Sequence, residues 1–144
     1  MEFEILGVTV SLVAILLAVL ANMALGMFWY SEAAFGKQWM KLIGKEKSEL
    51  SMGSKDIVAA IVVASFTAIG LNSVLQFAQI VGDLSIITNI ITTSFMITST
   101  FALPIIFNEV IWEGRKFQHF LLNLGYHFTN YVLMSTILAV FVLR

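Results

Sequence analysis

Long apolar runs alternate with short polar segments along this 144-residue chain. A membrane-spanning helix needs about 20 mostly apolar residues. Four runs meet that length, and we predict spans at about residues 5–29, 57–81, 84–107 and 117–143. Residues 30–56 and 108–116 form the longer polar segments between them, and Gly82 and Asp83 form a tight turn. The pattern predicts an all-α integral membrane four-helix bundle, built as a single domain over residues 1–144.

The first polar segment predicts a short amphipathic helix between spans one and two. Its apolar positions recur at i, i+4, i+7 and i+8: Phe35, Trp39, Leu42 and Ile43. The opposite face holds three lysines: Lys37, Lys41 and Lys45. This pattern is typical of a helix in the membrane interface, with its lysines directed towards anionic lipid head groups. A helix packed against the ends of the bundle is a second, compatible interpretation.

Composition excludes an ordinary soluble domain. Apolar residues make up 59% of the chain and charged residues 12%, against about 45–50% and about 25% in globular proteins. A soluble chain of this size has too much surface for its volume to bury so many apolar side chains. The net charge of −1 gives no basic field for nucleic acid, and the absence of Cys excludes disulfides. The lipid bilayer is therefore the expected partner.

Basic residues predict the orientation. The segment 30–56 contains five lysines, and 108–116 contains Arg115 and Lys116, whereas the opposite side has only Arg144. By the positive-inside rule, both segments are cytoplasmic and both termini are extracytoplasmic. The long first apolar run and its acidic flank favour a retained helix over a signal peptide. We therefore expect a multi-pass protein of the cell membrane.

Polar side chains form stripes along the predicted spans. The second span has Ser65, Asn72, Gln76 and Gln79 near one face, and the third is rich in Thr and Ser. The fourth has His119, Asn123, His127 and Asn130 in line, with Tyr126 adjacent. Hydrocarbon cannot satisfy these groups, so the stripes should face the bundle interior. They act either as interhelical hydrogen bonds or as the lining of a pocket or hydrated path. Thr and Ser favour the former, because they can bond to their own helix backbone.

The segment 108–116 concentrates charge at a predicted membrane boundary. If the third helix continues past Pro104, which we expect to kink it, Glu109 and Glu113 are one turn apart on one face. These carboxylates either hold a proton or cation, or form an ion-pair lock with Arg115. No metal site is expected, because His119 and His127 are about 12 Å apart along a helix. No cofactor is expected either.

Two segments resemble a known family. FNEVIWEGRKFQHFLLNLGYHFTNYVLMSTIL and GMFWYSEAAFGKQWMKLIG resemble the two signatures of the integral-membrane family called domain of unknown function 1761. The second signature corresponds to Asn108, Glu113, Gly114, Arg115, Asn123, Gly125 and Tyr126, and the first to Trp29, Tyr30, Phe35, Gly36, Lys37 and Trp39. The resemblance implies a small four-span protein and assigns no activity. We expect the signatures to meet, with Lys37 near Glu109 or Glu113 and Trp39 near Trp112.

The polar residues give three functional hypotheses. The first is binding or passage of a small polar solute, proton or cation through the bundle interior. The second is a membrane enzyme or lipid head-group binder at the cytoplasmic surface, with Glu113 or His119 as acid or base and Arg115 holding an anionic head group. The third is a structural or accessory subunit. No Ser-His-Asp arrangement, phosphate loop or metal motif is evident, so catalytic residues are not assigned and an enzyme is less favoured. The predicted binding residues are Asn108, Glu109, Glu113, Arg115, His119, Asn123, Tyr126, His127, Asn72 and Gln76. A chain this small often completes its interface by self-association, so a homo-oligomer is also expected.

Overall fold

The computed structural model describes residues 2–5, 7–51 and 53–143. Its helices are α1 Leu12–Trp29, α2 Gly36–Ile43, α3 Ser54–Gly82, α4 Ile86–Ile97, α5 Leu103–Glu113 and α6 Phe117–Val142. Its strands are β1 Glu2–Ile5 and β2 Val8–Ser11. Four helical segments are long and apolar enough to cross a membrane: α1, α3, the combined α4–α5 segment and α6. The predicted all-α four-helix bundle is therefore confirmed.

Helix α6 is central to the bundle and contacts each of the other five helices. The main core lies where α1, α3, α4 and α6 pack together, and its fully buried members are Ala14, Ala18, Ala68, Leu75, Met134 and Leu138. Small side chains such as these alanines let helix backbones approach closely, which favours packing in an apolar solvent. The bundle is thus organised around α6, the helix with the His and Asn stripe.

The beginning of the first span was wrongly predicted. Residues 5–11 were expected to be helical, but β1 and β2 form an antiparallel hairpin. Gly7, with a φ of +77°, lies between the strands, and β-branched Val8 and Val10 alternate towards the bundle, each 1% exposed. The Ser11 hydroxyl accepts a hydrogen bond from the Ala14 N–H at 3.5 Å and caps α1. The 18 residues of α1 extend about 27 Å, near the thickness of the hydrocarbon core.

The third span also differs from its prediction. It was expected to end at residue 107 and be followed by a loop over 108–116, but α5 continues to Glu113. Gly114, with a φ of +66°, ends the helix in the left-handed conformation that glycine tolerates. The predicted distortion by Pro104 lies one turn earlier, as the π-helical turn Thr98–Ala102. Proline has no N–H for the carbonyl four residues before it, and the wider turn accommodates that loss.

The predicted amphipathic helix is present as α2, and it packs against α6. Lys37 and Lys41 are exposed, whereas Trp39 is half-buried. Gly36 is buried, because the chain passes closely over the end of α1: a Cβ there would lie 2.4 Å from the Tyr30 carbonyl oxygen. We call the end of the bundle near α2 the α2 end, and the end covered by β1 and β2 the hairpin end.

Candidate functional site

At the hairpin end, two predicted binding residues bond to the backbone of the same chain. The Gln76 amide donates to the Thr9 carbonyl at 2.7 Å and accepts from the Thr9 N–H at 3.0 Å. The Asn72 amide donates to the same carbonyl at 2.9 Å and is fully buried. Gln76 therefore acts like one more strand partner for β2. The side chains of Asn72 and Gln76 hold the hairpin on the bundle.

The polar stripes of α3 and α4 bond to each other. The Asn89 amide donates to the Leu75 carbonyl and to Gln79 Oε1, each at 2.9 Å. Thr93 donates to Asn89 Oδ1 at 3.0 Å. Other hydroxyls donate to carbonyls of their own helix, as in Thr92, Ser99 and Thr100. In this half of the bundle, the arrangement favours interhelical hydrogen bonding over the lining of a path.

At the α2 end, the two signature segments meet through aromatic side chains. Trp29 and Tyr30 both face Tyr126, with ring centroids 6.0 and 5.3 Å apart. The glycines are complementary: Tyr126 covers Gly26, and Trp29 covers Gly125. A Cβ at Gly26 would lie 3.2 Å from the Tyr126 hydroxyl oxygen. Helices α1 and α6 therefore each provide a glycine that accommodates an aromatic ring of the other.

A chain of polar side chains links three helical elements at this end. The Tyr30 hydroxyl donates to Asn123 Oδ1 at 3.1 Å. The Asn123 amide lies 3.3 Å from His119 Nε2, and His119 Nδ1 lies 3.7 Å from Glu109 Oε2. His119 therefore lies between the Asn123 amide and the Glu109 carboxylate.

Tyr30, which lies just beyond α1, is half-buried. Loss of solvent raises the pKa of its hydroxyl well above the usual range, and the neighbouring Tyr126 and the Glu109 carboxylate raise this pKa further. A tyrosine hydroxyl is protonated at neutral pH even at its usual pKa, and the raised pKa extends that form to higher pH, so the hydroxyl donates to Asn123. His119 is only 7% exposed. Through Asn123, the Tyr30 hydroxyl at the boundary of the bundle is therefore connected to a buried imidazole.

A cavity of about 490 Å³ lies beside this row of polar side chains, and Tyr30 belongs to both. It is lined by Asn22, Met23, Gly26, Met27, Tyr30, Trp39, Leu50, Ser51, Ala60 and Tyr126. Small-molecule sites commonly have volumes of about 300–1,000 Å³, with mostly apolar linings and a few polar groups. None of these lining residues is charged. The lining combines α1, α2, α3 and α6 with the connector before α3.

The residues of this cavity lie within a region that matches a known protein family. The sequence matches the family described as "Protein of unknown function (DUF1761)" over residues 13–139. The chain belongs to the DUF1761 family. No curated protein and no solved structure matches it significantly. The DUF1761 match includes every residue that lines the cavity and begins after the hairpin.

The charged turn of this DUF1761 protein faces outwards. Arg115 Nε lies 3.3 Å from Glu113 Oε2, and their side chains are 42% and 57% exposed. Asn108 is exposed as well. Of the two predicted carboxylates, Glu109 is the one directed at His119. The two signatures meet as expected, but through Tyr30 and Tyr126, whose ring centroids are 5.3 Å apart. Trp39 packs on Tyr30 of its own signature at 5.1 Å, and Trp112 is 82% exposed.

The predicted binding residues thus divide among three places in the DUF1761 structure. Tyr126 lines the cavity, and the neighbouring chain contains Glu109, His119 and Asn123. His127 lies one position beyond, with its ring between those of Tyr126 and Tyr131. Asn72 and Gln76 lie at the hairpin end, whereas Asn108, Glu113 and Arg115 lie on the exposed turn.

Sequence reasoning missed Asn22, which lines the cavity and whose amide lies 3.8 Å from the Met134 sulfur. The sequence did contain a signal for this residue. Asn22 is the sole amide in an otherwise apolar first span, and polar groups inside a span are default candidates for function. Tyr30 and Trp39 belonged to the resembling signatures but were not included among the binding residues.

Proposed function

We propose that this chain is a multi-pass membrane protein that binds a small amphipathic molecule in the cavity at the α2 end. The observation that supports this most is the meeting of the two family signatures at one cavity. Tyr30 and Trp39 come from the first, and Tyr126 comes from the second. Aromatic rings and methionines suit an apolar body, whereas Asn22 and Ser51 suit a polar group.

The proposal includes an orientation and lipid contacts. The α2 end is cytoplasmic, both termini are extracytoplasmic, and the membrane is the cell membrane. Lys37, Lys41 and Lys45 contact anionic lipid head groups. The distribution of basic residues supports this arrangement, since both charged segments lie at the α2 end. The exposure of all three lysines is consistent with it.

Binding is favoured over passage through the bundle. A path would have to continue from the cavity to the hairpin end, where the amides of Gln76 and Asn89 are bonded within the chain at both oxygen and nitrogen. The Asn72 nitrogen is bonded there as well, whereas its Oδ1 has no hydrogen-bond partner among the residues that the structure describes.

The enzyme hypothesis has less support, because Glu113, one of its two candidate acids, pairs with its anion-binding Arg115 on the surface. The other candidate, His119, is only 7% exposed and faces Glu109 instead. Self-association of the chain stays a prediction.

Filling the cavity tests the proposal. Ala60 lines the cavity from α3, and Ala59 is exposed beside it. Native mass spectrometry of protein extracted from membranes should detect a small bound molecule in the wild type and in Ala59→Phe. The same molecule should be lost in Ala60→Phe, because the added ring occupies its volume. If all three proteins carry the same bound molecules, the proposed site is wrong.

A further inference from the structure

We infer that the cavity recognises an ammonium group bearing carbon substituents, either on a lipid head group or on a free amine. This inference rests on the function proposed above and specifies the chemical class of its ligand. Three features of the described residues support it: the arrangement of the aromatic rings, the polarity of the chain behind Tyr30, and the absence of cationic groups in the lining.

The aromatic rings form adjoining walls. Tyr30 is central, with Trp39 at 5.1 Å and Tyr126 at 5.3 Å between ring centroids. The ring planes meet at 58° and 54°, so the three do not form a parallel stack. Clusters of Trp and Tyr attract cations through their electron-rich faces, and aromatic cages are a common means of binding quaternary ammonium.

The polar side chains that connect Tyr30 to Glu109 increase the preference of the cavity for a cation. The Tyr30 hydroxyl donates to Asn123, the Asn123 amide contacts His119, and His119 in turn lies 3.7 Å from the Glu109 carboxylate. The hydroxyl proton of Tyr30 is therefore committed to Asn123, and the oxygen lone pairs and the ring remain for a ligand. The nearby Glu109 carboxylate adds a negative potential at Tyr30, which favours a cation.

The lining also excludes other ions. Among the residues that the structure describes, no Lys, Arg or His lines the cavity, so an anion would have no counter-charge there. A metal ion or an unsubstituted ammonium is strongly hydrated, and a lining that includes Met23, Met27 and Leu50 could not replace the lost water. An alkylated ammonium is weakly hydrated and presents methyl groups to these apolar side chains. An alkylated ammonium therefore matches both the aromatic rings and the apolar side chains of the lining.

A matched ligand pair tests the charge requirement. The full-length protein is purified in a maltoside detergent, which contains no ammonium group, and its melting temperature is followed with added choline. Binding to the folded state should raise the melting temperature in a saturable manner. The neutral isostere 3,3-dimethyl-1-butanol, and sodium chloride at equal ionic strength, should produce little change.

Variants assign the effect to the cavity. Trp39→Leu should weaken the apparent affinity for choline by roughly tenfold, because it removes one aromatic face, and Trp39→Phe should weaken it less. Trp112→Leu is the matched control, since Trp112 is 82% exposed and does not line the cavity. Equal weakening by Trp39→Leu and Trp112→Leu would overturn the assignment.

The source of the ammonium group is resolved in nanodiscs. If the ligand is a lipid head group, phosphatidylcholine should stabilise the protein more than phosphatidylglycerol, and added choline should have no further effect in phosphatidylcholine. If it is a free amine, choline should stabilise the protein equally in both. Equal stabilisation by choline and its neutral isostere would overturn the ammonium inference but leave the cavity as a binding site. No effect of either, together with unchanged bound molecules in Ala60→Phe, would overturn both proposals.

Discussion

Individual residues at the α2 end act mainly by bringing α1, α2 and α6 together. Glycine has this role at three positions, with Gly26 under Tyr126, Gly125 under Trp29, and Gly36 against the backbone of Tyr30 and Ser31. The resemblance to the family identified Gly36 and Gly125 as signature positions. Their physical role needed the fold, because a sequence does not show which atoms approach a missing Cβ.

Replacing Gly36 with Ala should destabilise the protein. The new Cβ would lie 2.4 Å from the Tyr30 carbonyl oxygen and 2.6 Å from that of Ser31, and backbone atoms cannot move aside as a side chain can. We expect a loss of about 1–3 kcal/mol in the free energy of unfolding, as for other overpacked sites. Thermal unfolding in detergent measures it.

Gly70→Ala is the control for this prediction. Gly70 lies within α3, and a Cβ there would meet nothing within 4 Å. Alanine is a better helix former than glycine, so this change should leave the melting temperature unchanged or raise it. A Gly36→Ala protein as stable as Gly70→Ala would contradict the close packing of α2 against the end of α1.

At the scale of elements, hydrophobicity determined most of what could be predicted. The four spans follow from the length of the apolar runs, and α2 follows from the spacing of Phe35 and Trp39. The hairpin was missed because a short apolar run does not distinguish a strand from the start of a helix. Gly7 followed by the alternating Val8-Thr9-Val10 was the available signal. The α6 stripe grouped His119, Asn123, His127 and Asn130, with Tyr126 adjacent; in the fold His119 and Asn123 contact each other and Tyr126 lines the cavity.

The stripe on α3 shows the limit of this reasoning. Asn72 and Gln76 were grouped with the residues of α6, but they bond to Thr9 at the other end of the bundle. A row of amides predicts that polar partners exist in the interior. It does not reveal whether those partners are a ligand, another helix or, as found, the backbone of a strand.

Gln76→Leu should release the hairpin selectively. It removes both amide bonds to Thr9 and leaves the Thr9 N–H without that acceptor, at a cost of about 1–3 kcal/mol. Hydrogen exchange should become faster at the Thr9 amide and remain unchanged at α2. Ser73→Ala is the control, because the Ser73 hydroxyl bonds to the Ile69 carbonyl of its own helix. Unchanged exchange at Thr9 in Gln76→Leu would show that the amide is not what holds β2.

At the scale of the whole molecule, the two ends of the bundle differ in kind. The hairpin end is closed by strands and by amides that bond to the chain itself, whereas the α2 end combines the basic segments, the aromatic rings and the cavity. An amphipathic ligand would therefore enter at the α2 end, from the bilayer or from the adjacent aqueous phase. The orientation of the chain in the membrane decides from which compartment the ligand comes. The distribution of basic residues is the feature that predicts this orientation.

Cysteine labelling tests that orientation directly, because the wild-type chain contains no Cys and gives no background. Lys45 follows α2, Arg115 follows α5, and Asp83 lies between α3 and α4 at the hairpin end. In intact cells, a membrane-impermeant maleimide should label Asp83→Cys and should label Lys45→Cys and Arg115→Cys only after lysis. Labelling of Lys45→Cys and Arg115→Cys alone in intact cells would reverse the orientation and place the cavity at the outer surface. Labelling of Lys45→Cys and Arg115→Cys from opposite sides would contradict the bundle itself, since both positions lie at its α2 end.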